Sequence, residues 1–256
     1  MSESQGKFVW YDLATIDAGA AEAFYKSVVG WGAQDSGVPG PAYTLLTVGD
    51  TAVGGLMALT EEARSAGAHP GWRGYVAVDD VDAGAVRVVK AGGTIRRAPE
   101  DIPGVGRFAV VADPQGVGFV LFRGNGEPPP VPAPGTPGHV GWHELVTTDQ
   151  EAAFAFYAGL FGWTKGEALD MGPMGIYQLF AIGGIPAGGM MTKPEAVPAP
   201  YWLYYVNVDA IDAAAARITA GGGQIILGPV EVPGGSWIIN GLDPQGVLFA
   251  VVAPRR

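Results

Sequence analysis

Hydrophobic and polar positions along this chain change period four times in the same order. The runs FVWYDLAT, GYVAVDD, GWHELVTT and YYVNVD are rich in β-branched and aromatic residues and read as extended strands. Each gives way to a segment where apolar residues return at helical spacing, as Ala21, Phe24, Tyr25 and Val28 do in the first. These segments open on Asp17, Asp82, Asp149 and Asp212 and close at Gly30, Gly92-Gly93, Gly162 and Gly221. An Asp carboxylate can accept from the free N–H groups of a first helical turn, and Gly tolerates the left-handed position after the last. Four helices of about three turns each are therefore predicted. Further strand-like runs follow at residues 43–48, 52–57, 94–97, 108–112 and 117–122, with counterparts in the second half. The predicted unit is β-α-β-β with one more strand, occurring four times. Residues 60–64 (TEEAR) read as a solvated loop between units.

The pattern is also a repeat. FVWYDLATIDAGAAEAFYKSVVGW returns as VGWHELVTTDQEAAFAFYAGLFGW, with eleven identical positions shifted by 132. Near the end of each half, Asp113-Pro114-Gln115-Gly116 matches Asp243-Pro244-Gln245-Gly246, a tight-turn sequence joining the last two strands. Self-similarity at a domain-sized period means duplication. Between the copies lies GNGEPPPVPAPGTPG, a semi-stiff connector without apolar periodicity. The expected domains are residues 6–124 and 139–254, joined by a linker over 125–138 with its boundary near 130.

Composition narrows the function classes. The 48% apolar and 16% charged content of 256 residues describes a globular chain with two cores. A net charge of −10 argues against a nucleic-acid or anionic-membrane surface. With no Cys, thiol catalysis, thiolate metal sites and disulfides are excluded. The longest apolar stretch, residues 177–191, is too short and Gly-broken to span a bilayer; it reads as two strands around Gly183-Gly184. No basic and apolar leader opens the sequence, so a cytoplasmic location is expected, with secretion independent of a signal peptide left open. The Gly-rich stretches follow helices and do not form a phosphate loop, and no nucleophile-elbow pattern is present.

Asp, then Phe-Tyr, then Gly-Trp, closed later by Asp-Pro-Gln-Gly, resembles the vicinal oxygen chelate superfamily of glyoxalases, bleomycin-resistance proteins and extradiol dioxygenases. More narrowly, the chain resembles its two-domain actinobacterial glyoxalase- or hydroxylase-like members. The resemblance covers both halves. It implies an α+β fold of tandem glyoxalase-like domains, in which four βαβββ modules form two curved, half-open sheet cups. It also implies a divalent metal held by His, Glu or Gln at four strand positions. Here those positions carry Trp10 and Trp142, the stretches Gly54-Gly55-Leu56 and Gly188-Gly189-Met190, Tyr75 and Tyr205, and Val120 and Ala250. Indole, aliphatic and glycine positions cannot ligate such a cation, and a lone phenol is a poor substitute. No cofactor is therefore expected, a divalent metal at an atypical site being the alternative.

Strand alternation sorts the remaining candidates. With Trp142 toward the cup, His143 turns to the helix side, where a structural role is the commoner one. Asp12 and Glu144 share the parity of the Trp residues. They are candidate catalytic carboxylates, with capping or ion pairing the equal alternative; burial of Glu144 without a partner would favour a general base. Trp10, Trp72, Tyr75, Trp142, Trp202 and Tyr205, with Met190 as adaptable apolar surface, are candidate ligand-binding residues. Core packing is the commoner role for any one of them; their occurrence together points to a pocket. Arg107, replaced by Trp237 in the other copy, is a candidate anion anchor or a solvated surface side chain. Two functions remain open. One is metal-independent binding of an aromatic or apolar small molecule. The other is a glyoxalase-like lyase or hydroxylase/dioxygenase using an atypical metal site or a carboxylate base. Four modules in one chain make a monomer or weak homodimer the expected state.

Overall fold

The computed structural model describes residues 2–38, 40–65, 67–126 and 132–256. The boundary read near residue 130 lies outside the described residues. The first half contains β1 (Phe8–Thr15), α1 (Ala18–Val29), β2 (Gly32–Asp35), β3 (Tyr43–Val48) and β4 (Thr51–Ala58), then α2 (Glu61–Ser65). A second module follows as β5 (Gly71–Ala77), α3 (Val81–Lys90), β6 (Thr94–Ile102), β7 (Gly106–Ala112) and β8 (Gly118–Gly124). The second half repeats this with β9 (Val140–Thr147), α4 (Gln150–Phe161), β10 (Thr164–Asp170), β11 (Ile176–Ile182) and β12 (Ile185–Thr192). Its last module is β13 (Tyr201–Asn207), α5 (Ile211–Ala220), β14 (Gln224–Glu231), β15 (Trp237–Leu242) and β16 (Leu248–Ala253).

Each half forms one eight-stranded curved sheet. The strand orders, β2-β3-β4-β1-β5-β8-β7-β6 and β10-β11-β12-β9-β13-β16-β15-β14, are the same order written twice. Neither sheet closes into a barrel. Within a module the first and last strands run parallel, as β1 with β4 and β9 with β12, because the helix returns the chain across the sheet. The predicted α+β fold of four βαβββ modules is the observed one.

The helix ends correct part of the reading. Asp17 and Asp149 do cap α1 and α4, each accepting from the N–H three residues on at 3.0 Å. Gly30 and Gly162 close those helices at φ of +88° and +72°. In the other two modules the Asp of the pattern lies inside the first turn. Asp80 caps α3, and Ala210 stands at the start of α5 with no side-chain cap. Asp82 and Asp212 instead meet Arg107 and Arg256. Residues 60–64 are expected as loop, but Glu61–Ser65 forms α2, with the Thr60 hydroxyl accepting from the Ala63 N–H.

Packing divides the chain into two compact units, each drawn from both halves: residues 1–9, 73–128 and 142–202 in one, and 10–72, 129–141 and 203–256 in the other. The repeated motifs explain why each unit holds together. In the second unit the Tyr25 hydroxyl donates to the Asp243 carboxylate at 3.2 Å. Gln245 Oε1 accepts from the Thr15 hydroxyl and the Ile16 and Asp17 amides, while its Nε2 donates to the Asp17 carbonyl. Phe24 meets Phe249 edge-on at 5.4 Å. In the first unit Tyr157 donates to Asp113 at 3.1 Å, and Gln115 serves Thr147, Thr148 and Asp149 in the same way. The Phe-Tyr pair and the Asp-Pro-Gln-Gly turn are thus two sides of one contact. Burial raises the carboxyls of Asp113 and Asp243 above the ordinary carboxylate range.

Candidate functional site

Strand pairing fixes which side chains face away from the helices. Leu13, Leu46 and Leu56 are buried with Ala21, Phe24 and Val28 of α1, so they mark the helix face of the first module. Asp12 pairs with Gly55, Leu45 with Gly55 and Tyr43 with Met57, which places these on the opposite face with Trp10. In the third module Glu144 pairs with Gly189, and Tyr177 with Met191, which gives the same arrangement.

On that face stands a hydrogen-bonded cluster. The Trp10 indole N–H reaches both Asp12 Oδ1 and the Tyr43 hydroxyl at 2.8 Å, and the Tyr43 hydroxyl donates to Asp12 Oδ1 at 2.6 Å. Its counterpart is built from Trp142, which donates to the Tyr177 hydroxyl at 2.8 Å, and Tyr177, which is bonded to Glu144. Burial first, and then the neighbouring carboxylate, push both phenols well above their ordinary range, so each stays a donor at neutral pH. Glycine makes the arrangement possible. A Cβ at position 55 would collide with the Tyr43 hydroxyl and Asp12 Oδ1, and one at 189 with the Tyr177 ring. Each phenol therefore lies across a strand that has no side chain there.

The two clusters differ in access and in one neighbour. Asp12 is 5% exposed, whereas Glu144, one methylene longer, is half-buried. Tyr201, at the start of β13 beside β9, lies near Glu144; burial and that carboxylate raise its phenol. The first half has Gly71 at this position, and a Cβ built there meets nothing within 4 Å.

The sequence candidates separate into groups. Trp10, Asp12, Trp142 and Glu144 come together as just described. Tyr75 and Tyr205 pair with Val120 and Ala250, on the face opposite the buried Phe119, Leu121, Phe249 and Val251. Tyr75 meets Phe122 edge-on at 5.8 Å. Trp72 and Trp202 face the other way. Their indole N–H groups donate to Tyr25 at 3.1 Å and to Tyr157 at 3.0 Å, hydroxyls carried by α1 and α4. Met190 is fully buried opposite Leu145, and the methionine on the open face is Met191. Arg107 is held by Asp82 at 2.7 Å and Asp101 at 3.0 Å on the surface, with Asp82 as its main partner. His143 is buried with Nδ1 2.7 Å from the Ala187 carbonyl, its ring stacked on Phe8 at 4.2 Å. Burial pulls its pKa down to about 4.

Tyr43, Tyr177 and Tyr201 are site residues that motif spacing missed, whereas it reached Gly55 and Gly189 only as positions without a ligand. The repeat does contain the tyrosines, but at a shift of 134 instead of 132, because the second copy has a longer connection before that strand.

As a metal site this donor set does not fit. Among the described residues no three His, Asp or Glu side chains come together. Each opening-strand carboxylate shares a bond with a phenol, and indole, glycine and thioether groups stand beside it on the face, with a second phenol, Tyr201, near Glu144. An enclosed cavity on the helix side, lined by Tyr11, Trp31, Trp72, Tyr204 and Phe249 among others, has about 20 Å³ open to the centre of a water molecule. It could hold a water but not an organic ligand.

Comparison with known proteins places this geometry. The model of the Glyoxalase/Bleomycin resistance protein/Dioxygenase superfamily matches residues 7–121 and again residues 136–251. The protein CFP32 of Mycobacterium tuberculosis, provisionally named a glyoxylase, is 35% identical over 98% of this chain and 95% of its own length. The anthracycline biosynthesis protein DnrV of Streptomyces peucetius is 34% identical over 98% of this chain and 94% of its own. Among solved structures, the 2,2',3-trihydroxybiphenyl 1,2-dioxygenase of Sphingomonas wittichii strain RW1 superposes with a TM-score of 0.69 at 12% identity, covering 98% of this chain and 91% of that one. Among the described residues no helix is long and apolar enough to cross a membrane.

Proposed function

The chain belongs to the Glyoxalase/Bleomycin resistance protein/Dioxygenase superfamily, and from that premise we propose that it binds a planar aromatic small molecule on the open sheet face without a metal ion. The observation that carries this reading is the pair of indole–phenol–carboxylate clusters, Trp10–Tyr43–Asp12 and Trp142–Tyr177–Glu144. A divalent cation requires several convergent O or N donors, and each cluster brings a single carboxylate, already bonded to its phenol. What they offer outward is aromatic wall with a few fixed polar tips, the composition of a small-molecule pocket. A relative whose name places it in anthracycline biosynthesis is consistent with an aromatic ligand.

The test is a thermal-shift panel of planar aromatic compounds against chelator-treated protein, repeated with Trp10→Ala and Trp142→Ala. The reading expects at least one compound to raise Tm in the absence of metal, with the shift lost in one of the variants. A second reading, turnover with Glu144 as base, draws on its half-buried position beside a protonated Tyr177. Turnover of methylglyoxal–thiol adducts that disappears in Glu144→Gln would favour it over binding alone.

A further inference from the structure

The two clusters are not equivalent, and the difference identifies a specificity residue. In the first, Asp12 is almost fully buried, with the Trp10 and Tyr43 donors on one of its oxygens. In the second, the longer Glu144 is half-buried, and two phenols stand near it. Tyr177 is engaged with Trp142 and Glu144. Tyr201 is half-buried, comes from a different strand, and occupies the position that is Gly71 in the first half. A carboxylate has about four acceptor sites, so a bond from Tyr177 does not exhaust Glu144. A protonated phenol beside it supplies a donor. Tyr201 opens β13, the strand beside the β9 that carries Trp142 and Glu144, and so adds a phenol near that carboxylate.

Resting on the binding reading above, we propose that ligand recognition resides in the second cluster, with Tyr201 as its specificity-determining residue. The ligand class is a planar aromatic compound carrying an N–H or O–H donor next to a carbonyl. Glu144 accepts from the ligand's donor, the Tyr201 hydroxyl donates to its carbonyl, and Trp142 packs against the ring. The first cluster has Gly71 where the second has Tyr201, and does not hold this class.

The experiment uses the full chain and two probes of the same shape. 2-Quinolinone is a planar bicycle with a lactam N–H beside its carbonyl, and N-methyl-2-quinolinone lacks the donor. Calorimetric titration of wild type is expected to give one 2-quinolinone per chain, with the N-methyl compound weaker by about tenfold or more. Tyr201→Phe, which keeps the ring, should weaken 2-quinolinone by about tenfold. Wild type that binds 2-quinolinone with no loss in Tyr201→Phe, or that binds both probes equally, overturns this inference and leaves the parent reading standing. Failure of wild type to bind any planar aromatic compound overturns both.

Discussion

Gly55 is the residue on which the first cluster's geometry depends most directly. The Tyr43 phenol crosses β4 where any side chain would stand, so Gly55→Ala forces the hydroxyl off Asp12. Overpacking of this kind costs about 1–3 kcal/mol, and the lost hydrogen bond adds about 1 kcal/mol. The cost should fall when Gly55→Ala is made in a Tyr43→Ala background, because the clash with the phenol is then absent and only the contact with the Asp12 carboxylate is left to relax. Urea denaturation of the two single variants and the double variant measures this coupling; additive costs would contradict it. His143 gives a pH prediction. Its folded pKa of about 4 lies below the unfolded value of 6.5. Unfolded chains therefore take up a proton that the native state refuses, and stability is lost as pH falls from about 6.5 toward 4. For a fully buried ring the loss is on the order of 3 kcal/mol. Asp113 and Asp243, raised by burial, titrate with the opposite sign, so the comparison must be between variants. Denaturation midpoints of His143→Gln should fall less steeply than wild type across that window. Equal slopes would mean that His143 does not titrate as its burial implies.

At the scale of elements, most of the architecture was legible because it is written in short-range signals. Asp17 and Asp149 before helical periodicity, Gly30 and Gly162 after it, and the Asp-Pro-Gln-Gly turns each act within a few residues of themselves. Alternation along β1 and β9 correctly put Trp10 with Asp12 and Trp142 with Glu144. Alternation alone could not orient β5 and β13, since Trp72 and Trp202 are as suited to a cup as to a core. Their direction is decided by Tyr25 and Tyr157, hydroxyls far away in sequence that need a donor. Nor does alternation separate Met190 from Met191: only the pairing of β9 with β12 settles which one faces the helix. The Gln245 clamp was equally invisible, because its three acceptor contacts lie more than two hundred residues upstream. Removing it should be costly. Gln245→Ala is expected to lower stability by about 2 kcal/mol and to speed hydrogen exchange at the Ile16 and Asp17 amides. Unchanged exchange at those two amides would show that the clamp does not hold this turn.

For the whole molecule, duplication acts on the sheets and on the packing in different ways. Each sheet belongs to one half of the sequence, while each compact unit draws on both. The core around α1 is completed by Val206, Ile211, Ile218, Phe249 and Val251 from the end of the chain. A fragment ending at residue 124 would expose that face of α1 and leave Tyr25 without Asp243. It is expected to unfold or to self-associate, and light scattering with chemical denaturation would show which. A monomeric fragment with the full chain's Tm would contradict the unit structure. Above all, the clusters standing near the superfamily's metal positions are expected to bind ligand without metal. The most direct measurement is titration of 2-quinolinone into chelator-treated protein and into the same protein supplied with Mn, Fe, Ni or Zn. One dissociation constant is expected throughout, with no stoichiometric metal retained after dialysis. Binding that appears only in a metal-loaded sample, with one equivalent of metal held, would contradict it.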